Sequence, residues 1–234
     1  AGMGYAGVPL AADFTLDLPA VLAAVERHRP ALTWIAYPNN PTGNLFPSEA
    51  ILEIIAASPG LVVVDEAYHA FSGGATFMAE APRHRNLVLV RTLSKLGLAG
   101  LRLGFAAGRP EWLREFDKVR LPYNVNVLTA AAAQFLLEAR PVLEDQARRI
   151  VAGRGVLEAG LDALPGVRRF PSAANFVLAR LPEATAAFEG LKARGILVRN
   201  LHGSHPLLAH CLRFTVGTPD ENARLLAALA EAIG

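Results

Sequence analysis

Three short apolar runs constrain this chain more than any other feature: Leu32-Thr33-Trp34-Ile35-Ala36, Leu61-Val62-Val63-Val64 and Leu87-Val88-Leu89-Val90. Each is short for a helix and too apolar for a strand with one wet face, so each reads as a buried strand. Helical patterns separate them. Leu18, Val21, Leu22 and Val25 recur at helical spacing after Asp17-Leu18-Pro19, with Asp17 as the capping candidate and Pro19 in the first turn. Ile51, Leu52, Ile54 and Ile55 follow Ser48, a second capping candidate, and Ser58-Pro59-Gly60 stops that helix. Strand, helix, strand, repeated, predicts a mainly parallel α/β sheet with right-handed crossovers.

In such sheets ligands gather beyond the carboxyl ends of the strands, and each run hands over to a polar cluster there. The first runs into Pro38-Asn39-Asn40-Pro41-Thr42-Gly43, dense in turn formers. The second delivers Asp65-Glu66-Ala67-Tyr68, and the third Thr92-Leu93-Ser94-Lys95 and a glycine-punctuated loop to Arg102. One more strand is predicted over Leu101–Ala106. Helices are then predicted over Glu111–Arg120, Thr129–Glu138 and Val142–Leu164. Beyond them, strands near Asn175–Leu181, Ile196–Asn200 and Leu212–Val216 alternate with helices at Glu183–Arg194 and Pro219–Ile233. The joint Leu121-Pro122-Tyr123-Asn124-Val125-Asn126 divides residues 1–125 from a smaller α/β domain, 126–234.

Composition narrows the class. At 234 residues and 52% hydrophobic, there is ample material for a core. The net charge of +2 is small and the basic residues are spread out, which gives no argument for nucleic acid or an anionic membrane. No apolar run approaches the roughly 20 residues needed to span a bilayer. A single cysteine, Cys211, rules out an internal disulfide framework, fits a reducing cytoplasm and reads as a small buried hydrophobe. The histidines show no metal-ligand spacing apart from His202-x-x-His205, in a loop that reads as solvated. The start, Ala1-Gly2-Met3-Gly4-Tyr5, has no initiating Met and no signal-peptide pattern, so the chain reads as a fragment.

Taken singly, each polar station has an ordinary explanation: a turn at Asn40, a helix cap at Asp65, a core ring at Tyr68, a surface ion pair at Arg102. Together and in this order they fit one cofactor, pyridoxal phosphate. A lysine partly desolvated at a strand end gives up its proton more readily, which suits imine chemistry; Lys95 would carry the cofactor and then move a proton to and from the substrate. Asp65 would hold the pyridine nitrogen protonated. Asn40 and Tyr68 would donate to the ring oxygen, while Thr92, Ser94 and Arg102 would grip the phosphate.

These motifs, with Gly100-Leu101-Arg102-Leu103-Gly104, resemble the fold-type-I aminotransferases. Val8-Pro9-Leu10, Arg91-Thr92-Leu93-Ser94-Lys95, Asn175-Phe176-Val177-Leu178-Ala179-Arg180 and Cys211-Leu212-Arg213-Phe214-Thr215-Val216-Gly217-Thr218 are most similar to the histidinol-phosphate aminotransferase subfamily. The resemblance implies that residues 1–125 are the C-terminal portion of an incomplete large cofactor-binding domain. It implies transfer of the amino group of L-histidinol phosphate to 2-oxoglutarate, giving glutamate, in histidine biosynthesis by a cytoplasmic homodimer. Arg213 matches the arginine that grips substrate carboxylates, Arg199 a second arginine used on the substrate phosphate, and Asn175 lies in a substrate-binding motif. Roughly a hundred residues precede this stretch in a full member, about a domain's worth; they hold part of the phosphate cup and the ring-stacking aromatic. The loop Leu96–Leu101 is one residue shorter than in many members. The rival readings are an aromatic-amino-acid aminotransferase, a threonine-phosphate decarboxylase on the same scaffold, and a cofactor-free fragment acting as an interaction module.

Overall fold

A computed structural model describes residues 2–233. The chain forms two compact units: residues 1–39 with 45–140, and residues 40–44 with 141–234.

In the first unit, α1 (Leu18–His28) opens as its sequence dictates, with the Asp17 carboxylate accepting from the Ala20 amide at 3.0 Å. Strands β1 (Leu32–Ala36), β2 (Leu61–Asp65) and β3 (Leu87–Thr92) pair in parallel and in that order. Their carboxyl ends therefore share one edge of the sheet. Between β1 and β2 lies α2 (Ser48–Ala57), whose N-cap is Pro47. Ser48 is thus the first residue of the helix and not its cap; its hydroxyl lies 3.4 Å from that of Tyr37. Ile51, Ile54 and Ile55 of α2 are fully buried against Ile35, Val62, Val64, Leu87 and Leu89 on one face of the sheet. On the other face Leu61, Val63 and Val88 pack with Val90 and Trp112, but Leu32 and Trp34 of β1 are exposed, so this edge strand has one open face and is not the buried strand its sequence predicts.

The fourth strand, β4 (Gly104–Gly108), pairs antiparallel with β3, so the sheet is mixed. It begins later than the expected Leu101, because Ala99–Leu101 closes into a 3-10 turn that ends with Arg102 in the left-handed region. Helices α3 (Pro110–Val119) and α4 (Val127–Glu138) follow. The unit continues past the joint at 121–126 to Arg140, so α4 belongs with the first sheet's unit and not with residues beyond 140.

The second unit contains all but the first residue of α5 (Arg140–Asp162), with β5 (Arg168–Arg169), β6 (Phe176–Arg180), α6 (Ala184–Ala193), β7 (Arg199–Asn200), β8 (Cys211–Thr215) and α7 (Pro219–Ile233). Its sheet is antiparallel throughout, in the order β5-β6-β8-β7. β5 was not expected from two adjacent arginines, and the strand predicted over Ile196–Asn200 shrinks to Arg199–Asn200. Both are short because they pair only through two residues of their neighbours. Val177, Ala179, Leu212 and Phe214 point to one face, where Leu157, Leu161, Leu191, Leu225 and Leu229 close the core. Helix α7 starts with a capping box: the Glu221 carboxylate accepts from the Thr218 amide at 2.8 Å while the Thr218 hydroxyl accepts from the Glu221 amide at 3.3 Å. These hydrogen bonds hold the Glu221 carboxyl below its ordinary range.

Phe214 is fully buried at the centre of this core. Phe214→Ala is expected to cost about 3–5 kcal/mol of stability, read from the denaturant midpoint. Cys211 is also fully buried, and burial pushes its thiol above the ordinary value.

Candidate active site

In the first unit the strand ends deliver the second and third polar stations. Asp65 is the last residue of β2, and its carboxylate accepts from the Ala67 amide at 3.0 Å, which turns the chain sharply away from the sheet. A 3-10 turn over His69–Phe71 then buries Tyr68, only 6% exposed. β3 ends at Thr92, whose hydroxyl accepts from the Ser94 amide at 3.1 Å. Lys95 follows in a second 3-10 turn, Ser94–Leu96, closed by Gly97 at φ 84°, a conformation that favours glycine.

The Lys95 ammonium nitrogen lies 5.2 Å from the centroid of the Tyr68 ring, so the structure brings those two stations together. The other lysines, Lys118 and Lys192, are exposed and paired with Glu115 and Glu189. Among the described residues, no carboxylate pairs with Lys95. Arg102 is exposed, and its guanidinium donates to the Ala99 carbonyl at 3.3 Å.

Asn40, Asn175, Arg199 and Arg213 all belong to the second unit. The segment 40–44 is held there by the Ala173 amide, which donates to the Gly43 carbonyl at 2.7 Å. Gly43 is required twice over: its φ is 83°, and a Cβ on it would stand 2.6 Å from the Ser172 hydroxyl. Arg213 of β8 lies over the Phe176 ring at 4.7 Å and donates to the Asn40 side-chain oxygen at 2.6 Å. Its Nε is buried and has no hydrogen-bond partner among the described residues. Across the β7–β8 pairing, Arg199 is the register partner of Arg213. Like charges directly opposite each other on paired strands are destabilising, and a buried donor left unmade costs more. An anion held between the two arginines would relieve both. Asn175 precedes β6, and its carbonyl accepts from the Val216 amide at 2.9 Å.

One polar network was not anticipated as functional. The Glu66 side chain is fully buried, and its carboxylate accepts from Arg91 Nε at 2.8 Å, the Thr76 hydroxyl at 2.9 Å and the Phe77 amide at 2.7 Å. The available signal was Arg91 itself, a charge set in an apolar strand that must find a partner. His202 accepts from the His210 amide at 3.0 Å through Nδ1. Among the described residues no group of three or more His, Cys, Asp or Glu could hold a metal ion, and no helix is long and apolar enough to cross a membrane.

Residues 1–229 match the family model for aminotransferase class I and II. The chain is 58% identical over 228 residues to a protein of Chromobacterium violaceum named histidinol-phosphate aminotransferase, covering 97% of this chain and 64% of that one. It is 54% identical over 234 residues to histidinol-phosphate aminotransferase 2 of Burkholderia pseudomallei, covering all of this chain and 65% of that one. The chain thus spans less than two thirds of these curated relatives. Among solved structures, histidinol-phosphate aminotransferase from Sinorhizobium meliloti in complex with pyridoxal-5'-phosphate is similar at a TM-score of 0.87 and 32% identity, covering 97% of this chain and 64% of that one.

Proposed function

From the premise that the chain belongs to the aminotransferase class I and II family, we propose that it contributes to a pyridoxal-phosphate-dependent aminotransferase acting on L-histidinol phosphate and on glutamate with 2-oxoglutarate. The donor set fits the cofactor. An amine unpaired by any carboxylate among the described residues stands beside a buried phenol; the hydroxyls of Thr92 and Ser94 precede it in the chain and Arg102 follows it. Pyridoxal phosphate, when bound, supplies a carbonyl carbon for the amine and a ring that withdraws electrons from the donor's Cα–H bond.

Each residue then has a task. Lys95 Nζ would be the attachment point and, once freed, would move a proton between the substrate Cα and the cofactor carbon that carries the amino group, in opposite directions in the two half-reactions. The Asp65 carboxylate holds a proton on the ring nitrogen. The Tyr68 hydroxyl and the Asn40 amide nitrogen donate to the ring oxygen; Asn40 has its oxygen committed to Arg213, which leaves the nitrogen end as the donor. Thr92, Ser94 and Arg102 hold the phosphate. Arg213 binds the carboxylate of glutamate and 2-oxoglutarate, Arg199 binds the phosphate of histidinol phosphate, and Asn175 contributes to the substrate site.

The observation that carries the choice of substrate is the Arg199–Arg213 register with the orphaned Arg213 Nε. An aromatic amino acid needs one carboxylate-binding arginine. A phosphate-bearing donor sharing its site with a dicarboxylate makes use of two. Incubation with pyridoxal phosphate is expected to give a visible absorbance band, and amino transfer from histidinol phosphate to 2-oxoglutarate is expected to exceed that from phenylalanine. Faster turnover of phenylalanine, or carbon dioxide release from threonine phosphate, overturns the assignment; absence of the band in both this chain and a longer relative overturns the cofactor.

A further inference from the structure

The Glu66 network spends a buried carboxylate at one particular place. The backbone ladder of β2 and β3 runs one step past the strand, since the Glu66 amide donates to the Val90 carbonyl at 2.9 Å. Glu66 follows Asp65 directly, and Arg91 precedes Thr92 directly. Their side chains meet across the two strands, with Arg91 Nε and Nη2 at 2.8 and 2.7 Å from Glu66 Oε2. A third segment closes over the pair. The Thr76 hydroxyl donates to the Glu66 carboxylate at 2.9 Å and accepts from Arg91 Nη2 at 2.7 Å, and the Phe77 amide donates to Glu66 Oε1.

An ion pair with its carboxylate fully buried and its guanidinium mostly buried is a poor way to gain stability, because desolvation offsets much of the attraction. What it does provide is a fixed geometry: the guanidinium fork accepts only a narrow range of positions for its carboxylate. Here the fork joins the points where two loops leave the sheet, one carrying Asp65 and Tyr68, the other Thr92, Ser94 and Lys95. We infer that Glu66 and Arg91, clamped by Thr76, are positioning residues that set Lys95 against Asp65 and Tyr68 for cofactor attachment. The inference rests on the cofactor reading above.

The test uses Thr76→Val, which removes the linking hydroxyl and leaves the ion pair, and Arg91→Lys, which keeps the charge and loses the fork. Both are compared with the wild type for pyridoxal phosphate affinity and for the visible circular dichroism of the bound cofactor, which reports its orientation. Far-ultraviolet circular dichroism measures the folded fraction. Affinity is expected to fall on the order of ten- to a hundredfold, as for a catalytic group displaced by a small distance, with altered visible ellipticity and an unchanged fold. Wild-type affinity and ellipticity in both variants overturn the inference, as does a loss that only tracks the folded fraction. If Arg91→Lys does not fold, Thr76→Val decides.

Amide hydrogen exchange of the cofactor-free protein provides an independent reading. Thr76→Val is expected to speed exchange in the 67–71 and 93–96 segments together; faster exchange in one alone, or in neither, overturns the coupling. A wild-type protein that gives no visible band would instead remove the cofactor premise, an outcome distinct from normal binding by the variants.

Discussion

Lys95→Ala is expected to abolish both the visible band of added pyridoxal phosphate and amino transfer, with turnover falling on the order of 10⁴-fold or more. The size follows from two tasks resting on one nitrogen, covalent attachment and proton movement, so that no residual half-mechanism remains. Borohydride reduction of the loaded wild type followed by peptide mapping is the direct check. The label should lie on Lys95 alone, because Lys118 and Lys192 are exposed side chains paired with glutamates. A label spread over all of them would reduce Lys95 to one surface amine among others. The fold should be unaffected, since Lys95 ends in a partly buried turn and not in either core.

Arg213→Ala should be the second largest effect and should fall unequally on the substrates. A charged hydrogen bond is worth about 1.5–3 kcal/mol, so kcat/KM for glutamate is expected to drop by about ten- to a hundredfold, mostly through KM. Arg199→Ala should reverse the order, weakening histidinol phosphate more than glutamate. Arg213→Lys should not rescue glutamate, because a point charge cannot place donors where Nε and the terminal nitrogens stand. Steady-state kinetics on the two donors separates these outcomes. Equal losses on both donors in both variants would mean the arginines hold the sheet together and select nothing.

Much of this architecture was readable from the residues, for a physical reason. Runs such as Leu61–Val64 have no polar side chain to place, so only a buried strand satisfies them, and the polar residue that follows must mark its exit. The stations Asp65, Tyr68 and Lys95 were legible in that way. Where local signals were weak the reading slipped. Pro47 took the boundary expected of Ser48, and the 3-10 turn at Ala99–Leu101 delayed the last strand of the first sheet. The paired Arg168 and Arg169 form a strand only because Arg180 and Ala179 lie opposite them. Contacts between distant segments were not legible at all. Nothing in the sequence near Asn40 announces Arg213, 173 positions away, and nothing near Glu66 shows that Arg91 rather than water meets its charge.

The Asn-Pro-Thr-Gly segment has a consequence for recombination. Residues 40–44 are encoded between β1 and α2, yet they pack with residues 141–234, through Gly43 against Ser172 and Asn40 against Arg213. A chimera that splices the C-terminal half of one relative onto the N-terminal half of another at residue 141 therefore exchanges an incomplete module. Its incoming arginine would meet a foreign asparagine loop, and its incoming serine a foreign glycine. Libraries built on this scaffold preserve their pairing only if the short upstream strip travels with the distal half, so inheritance here follows contacts rather than the order of the gene.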